Sequence, residues 1–170
     1  MAGEMRGTFL GREFLTWLWF ESERSGGTVN SEQFGAVRVD FGQRLSLQST
    51  SGAREGSTVK AEAPGETEEA RSALRTGKQV TTARLFVATA DREFWLSIDA
   101  DTFTFSGVKL PSVLGGKDDN KVDERLLLLD ELEGVVDELY MIFIKLRADP
   151  QAWPDIREGI HQWVLAQPTA

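Results

Sequence analysis

An α+β fold, an antiparallel sheet with helices packed on one face and long helices at the C-terminus, is what this sequence predicts. Three observations carry the prediction. Apolar residues alternate with period two between Val80 and Phe105, they recur with helical spacing before Arg24 and after Lys121, and the connections between strands are short. An antiparallel sheet can bury one face and leave the other to water, so helices gathered on one side complete the layer.

The first helix is expected over about Gly11 to Arg24. Leu10, Phe14, Trp17 and Leu18 form one stripe, which Leu15, Trp19 and Phe20 widen. So broad an apolar surface requires cover on more than one side. Trp17 and Trp19 could stack on bases, as aromatic residues do in single-strand binders, but helical spacing among Leu and Phe favours a core role.

Ser25-Gly26-Gly27 ends that pattern. Val37 and Val39 then alternate with Arg38 and Asp40, and Leu45 and Leu47 resume after Gly42-Gln43, which reads as two short strands joined there. Residues 49–64 are rich in Ser, Gly and Ala around a weak strand candidate at Thr58 to Ala61, so a flexible loop is expected. A short helix opens at Gly65-Glu66-Thr67, with Glu68 and Glu69 in its first turn and Arg71 and Arg75 towards its end, a polarity that suits the helix dipole.

Val80 to Ala90 and Glu93 to Asp99 predict a hairpin around Asp91-Arg92, with Phe94, Leu96 and Ile98 on one face and Trp95 on the other. Phe103 and Phe105 extend the alternation into a third strand ending by Gly107 and Pro111. A second flexible loop is expected at 112–120, because Gly115-Gly116-Lys117-Asp118-Asp119 fits neither a phosphate loop nor a calcium loop.

A long helix follows, from near Lys121 to about Arg147. Its apolar residues fall in three rows: Leu128, Val135 and Ile142; Leu129, Val136 and Phe143; Leu132, Leu139 and Leu146. Three rows imply that the helix lies between the sheet and the Trp-rich helix, or that the row Leu128, Val135, Ile142 meets a second copy in a homodimer. A last helix from about Pro154 to Leu165 places Ile156, Ile160, Trp163 and Val164 on one stripe, with Pro154 suited to a first turn and Trp153 and Trp163 as docking residues.

Length and composition bound the function. With 170 residues, 41% of them hydrophobic, the chain can enclose one core and reads as a single domain over 1–170. The absence of an apolar span or a signal-type N-terminus predicts a cytoplasmic protein. Zero cysteines remove disulfides and thiolate chemistry. The net charge of −8 is concentrated: Asp118 to Glu138 holds nine acidic and two basic residues, whereas Met1 to Lys117 holds 15 acidic and 14 basic. A near-neutral body can present a local basic face to phosphate, with modest affinity because long-range steering is weak.

The most compact cationic group in the sequence is Arg71, Arg75, Lys78 and Arg84, and it is the candidate phosphate-binding site. The reading that residue chemistry alone favours is that they are solvated groups that complement the dipole and pair with the preceding glutamates. Catalytic chemistry is poorly supplied. His161 is the single histidine and reads as a surface residue, and no cofactor or metal is expected. Asp99 and Asp101 could together hold magnesium for phosphodiester hydrolysis, but Asp99-Ala100-Asp101-Thr102 also reads as an ordinary turn, so no enzyme is predicted.

Three strings carry a further signal: LGREFLTWLWFESE, then EEARSALRTGKQVTTARLFVATADREFWLSIDADTFTFSGVKLP, then LLLLDELEGVVDELYMIFIKL. Over about Leu10 to Leu146 they resemble the C-terminal half of the RdgC-type recombination-associated DNA-binding proteins. That resemblance implies sequence-independent contact with duplex DNA, a nucleoid location, and a role in recombination, where the family forms two-subunit rings around DNA and restrains the RecA recombinase. It lends no DNA-contact residue to a position here, and the family's N-terminal half lies outside the match. The charge distribution supports another reading: a protein-interaction module that has lost DNA binding, or an acidic DNA mimic through Asp118 to Glu138.

Overall fold

The computed structural model describes residues 4–49, 56–61, 64–112 and 118–166. Among them, six strands form one antiparallel sheet and four helices accompany it, which is the α+β class the sequence predicts. The elements in chain order are α1 (Glu4–Arg24), β1 (Thr28–Ser31), β2 (Gly35–Ser49), β3 (Gly56–Ala61), α2 (Glu68–Arg75), β4 (Lys78–Ala88), β5 (Glu93–Asp99), β6 (Thr104–Lys109), α3 (Asp118–Ala148) and α4 (Ala152–Leu165). The sheet order is β1-β2-β4-β5-β6, and β3 also pairs with β2, beyond β1 along the same strand.

The 15-residue β2 replaces the two short strands expected around Gly42-Gln43. Those residues do not turn the chain. They form a bulge in which the pairing to β4 jumps from Phe41↔Leu85 to Leu45↔Ala83, and Gln43 takes a positive φ of 65°. The bulge keeps Val37, Val39 and Phe41 on the same buried face as Leu45 and Leu47. β3 corrects the loop expected at 49–64: Val59 is buried and residues 56–61 pair with β2, while 50–55 and 62–63 lie outside the described residues. In the loop expected at 112–120, residues 113–117 lie outside the description, and α3 already begins at Asp118. Phe103 belongs to the turn before β6, with φ of 55°, rather than to the strand. The β4–β5 hairpin is as predicted, in register Ala83↔Ile98, Leu85↔Leu96 and Val87↔Phe94, and all six of these side chains are buried.

The helix layer is built on α1. Phe14, Leu15, Trp17, Leu18 and Trp19 are each at most 1% exposed, which removes Trp17 and Trp19 from any base-stacking role. Burial of side chains this large stabilises by roughly 2 to 3 kcal/mol each. α1 approaches the chain so closely that a Cβ at Gly11 would stand 2.0 Å from the carbonyl oxygen of Ala100, so only glycine fits there. α1, not α3, is the sandwiched helix. The sheet covers one side of it, and on the other Phe14 packs edge-on against Tyr140 at 5.3 Å and Trp17 lies 5.7 Å from Phe143. The three apolar rows of α3 are used in this contact: Leu128, Leu132, Val135, Val136, Leu139 and Phe143 are buried in the chain's own core, with Ile142 packed against it. The row Leu128, Val135, Ile142 is therefore spent internally, which corrects its assignment to a homodimer contact. Trp153 meets Phe143 edge-on at 5.9 Å and Trp163 meets Trp19 at 5.1 Å, so α4 docks through its two tryptophans.

Candidate nucleic-acid interface

The four cations singled out in the sequence do not form one patch. α2 forms because Thr67 caps it, accepting from the Ala70 amide at 3.2 Å, and because its face of Ala70, Ala73 and Leu74 is buried. That orientation carries Arg71 inward as well, to 4% exposure. Its guanidinium donates to Glu23 Oε2 at 2.9 Å and to the Trp163 carbonyl at 2.7 Å, and it lies 4.1 Å from the Trp163 ring centroid. Burial pushes this guanidinium below its usual range; the carboxylate of Glu23 opposes that shift, and Arg75 adds to it. Glu23 also accepts the indole N–H groups of Trp19 at 2.8 Å and Trp163 at 2.6 Å. One carboxylate thus ties α1, α2 and α4 together.

Arg75 donates to the Val164 and Ala166 carbonyls at 3.1 and 3.0 Å and to Glu68 at 2.6 Å. The two arginines of α2 satisfy carbonyls at the C-terminal end of α4, where backbone acceptors lack helical partners. Lys78 donates to Ser57 Oγ at 2.7 Å, joining β4 to β3. Arg84 alone of the four points to the other face of the sheet. The group proposed from the sequence is thereby corrected: its members serve separate places, and Arg71 is withdrawn from solvent.

The sheet face opposite the helices gathers a different set. Strand register defines its rows. Lys60 on β3 stands directly opposite Arg44 on β2, and Arg84 on β4 faces the bulge beside Arg44 and pairs with Ser97 on β5, which pairs with Ser106 on β6. The neighbouring row runs Asp40, Phe86, Trp95, Lys109. Adjacent strands lie about 4.8 Å apart and same-face neighbours along a strand about 7 Å apart, so the rows are contiguous.

Arg84 is anchored on this face. It donates to the Gly107 carbonyl at 2.6 Å, and its guanidinium carbon lies 5.9 Å from the Trp95 centroid. Gly107 makes room for it, since a Cβ there would stand 2.9 Å from Arg84 Nη1. Arg38, paired with Asp40 at 2.9 Å, sits 5.8 Å from the Phe86 centroid. Arg44, Lys60 and Lys109 are exposed and have no ion-pair partner among the described residues. The rings of Phe86 and Trp95 lie 5.1 Å apart, inclined at 55°, and both are half-buried. A groove of about 520 Å³ opens at the end of this row, lined by Trp95, Lys109, Arg92, Glu93 and Pro111 among others.

The carboxylate pair has structural work. Asp99 Oδ1 accepts the amide N–H groups of Asp101 and Thr102 at 2.9 and 3.0 Å, and Asp101 binds Arg12 through both oxygens at 2.6 and 2.7 Å. The hydrogen bond from Arg12 to Asp101 raises the guanidinium above its usual range. Among the described residues no group of three His, Asp or Glu side chains is placed to hold a metal, and no helix is long and apolar enough to cross a membrane. His161 is exposed on α4.

Sequence reasoning overlooked Arg44, Lys60 and Lys109 because they stand far apart along the chain, and only strand pairing brings them together. The alternation that placed Trp95 opposite Leu96 was the available signal. No model of a protein family matches the chain, and no curated protein resembles it.

Proposed function

We propose that this chain is a non-enzymatic domain that contacts nucleic-acid phosphates weakly and without sequence preference, through the open face of its sheet. The observation that carries the reading is the facing pair Lys60 and Arg44, without an ion-pair partner among the described residues and flanked by Arg84. Like charges directly opposite each other on antiparallel strands repel, and an anionic ligand lying across them removes the repulsion. Lys109 and Arg38 extend the same face. The contacts are to backbone charge, and the charge of −8 on the whole chain keeps the affinity modest. The engagement of Asp99 and Asp101 by protein groups agrees with a role that is not catalytic. A part in recombination is the setting that the RdgC-type resemblance implies for such a domain.

The test is fluorescence anisotropy of labelled DNA titrated with the protein at low and moderate salt. Contacts from Lys60, Arg44 and Arg84 predict a log–log salt slope of about −2 to −3. Arg44→Glu with Lys60→Glu should abolish the signal, leaving the thermal transition in place. A flat titration at high protein concentration rejects the reading.

A second reading has its own observation. α3 exposes Val122, Leu126 and Leu127 at 55%, 59% and 68% amid its acidic residues, the kind of surface a protein partner covers. It takes precedence if DNA does not bind.

A further inference from the structure

We infer that the ligand of the open sheet face is single-stranded nucleic acid, with unpaired bases stacking on Trp95 and Phe86 while the backbone follows Lys60, Arg44 and Arg84. This rests on the phosphate-binding reading above and names its substrate class.

Phe86 and Trp95 lie on the face that no helix among the described residues covers, half-exposed, where an antiparallel sheet ordinarily presents polar side chains to water. Each ring is accompanied by an arginine, Arg38 at 5.8 Å and Arg84 at 5.9 Å, so the face offers aromatic and guanidinium planes together. Both kinds of plane stack on bases, whatever their sequence.

Position selects between the two forms of nucleic acid. A duplex turns its base faces inward and presents only backbone and groove edges, so it can use the cations but not the rings. A single strand exposes base faces beside each phosphate. Here Arg84 and Phe86 are two residues apart on β4, and Ser97 and Trp95 two apart on β5, which sets a charged and hydroxyl-bearing row beside an aromatic one at about 7 Å. The groove beyond Trp95 gives a base room past the end of the row, and Lys109 at its wall is placed for a further phosphate. Stacking also supplies the affinity that an acidic chain cannot gain from long-range attraction.

The experiment compares the full chain on a labelled oligothymidylate of about 12 nucleotides with a duplex of the same length. The single strand should bind about tenfold more tightly. Trp95→Ala should weaken the single strand about tenfold and leave the duplex unaffected, while Trp95→Phe should retain most of the affinity. Because Trp17, Trp19 and Trp153 are buried and Trp163 packs against Trp19 and Arg71 in the helix layer, oligothymidylate should quench the native tryptophan emission mainly through Trp95, and Trp95→Phe should lose that quenching although it still binds. This readout stands even if Trp95→Ala fails to fold. Equal binding of both probes, with no quenching and with Arg44→Glu plus Lys60→Glu still abolishing binding, overturns the single-strand assignment and leaves the phosphate reading intact. Absence of binding to either probe overturns both.

Discussion

The arginines of α2 and the cations of the open sheet face are alike in type and opposite in use. Arg71 and Arg75 reach Glu23, Glu68 and three backbone carbonyls at the end of α4, so their charge is consumed in fastening helices. Arg44 and Lys60 face each other, and neither has an ion-pair partner among the described residues. The lesson is that available charge is decided by partners, which tertiary structure assigns. A cation already buried and hydrogen-bonded would have to abandon those partners to bind phosphate, whereas an exposed pair of like charges gains from an anion without losing a contact.

The largest effect is expected on the helix side. Glu23→Ala removes the acceptor shared by Arg71, Trp19 and Trp163, leaving a buried guanidinium uncompensated and two indole donors unpaired. The expected loss is about 3 kcal/mol. For a chain of this size that lowers the midpoint of thermal unfolding by about 10 °C, measurable by circular dichroism. Below the transition the variant should bind nucleic acid as the parent does. A loss of affinity matching the loss of stability would place the helix layer in the binding site and undo the distinction.

Arg75→Ala tests the same side more gently. It frees the Val164 and Ala166 carbonyls at a helix end that water can reach, and removes a largely exposed pair with Glu68, for about 1 kcal/mol. Hydrogen exchange should quicken in α4 before it does in the sheet. Uniform acceleration would mean that α4 does not open separately.

Local chemistry made much of the fold legible. The β4–β5 hairpin follows from strict alternation, and the core role of Trp17 follows from helical spacing. β2 was misread because Gly42-Gln43 has the composition of a turn, yet a bulge and a turn share that composition, and only pairing with β3 and β4 on either side distinguishes them. The candidate site was less legible for the same reason. Arg71, Arg75, Lys78 and Arg84 are neighbours along the chain, whereas Lys60, Arg44 and Lys109 become neighbours of Arg84 only through the register of five strands.

The smallest effect has the most informative sign. In Lys60→Glu the residue opposite Arg44 becomes its counter-ion, so the repulsive cross-strand pair turns attractive and stability should rise by about 0.5 kcal/mol. The same substitution removes one phosphate contact and neutralises a second, so affinity should fall while stability rises. Ordinary surface positions do not trade these quantities against each other, but a position kept for binding does. Denaturant unfolding and anisotropy on the same preparation measure both. A destabilised variant, or one that binds equally well, would mean that Lys60 and Arg44 are solvated too independently to act as a pair, and the sheet face would lose its claim over the helix layer as the place where this chain meets phosphate.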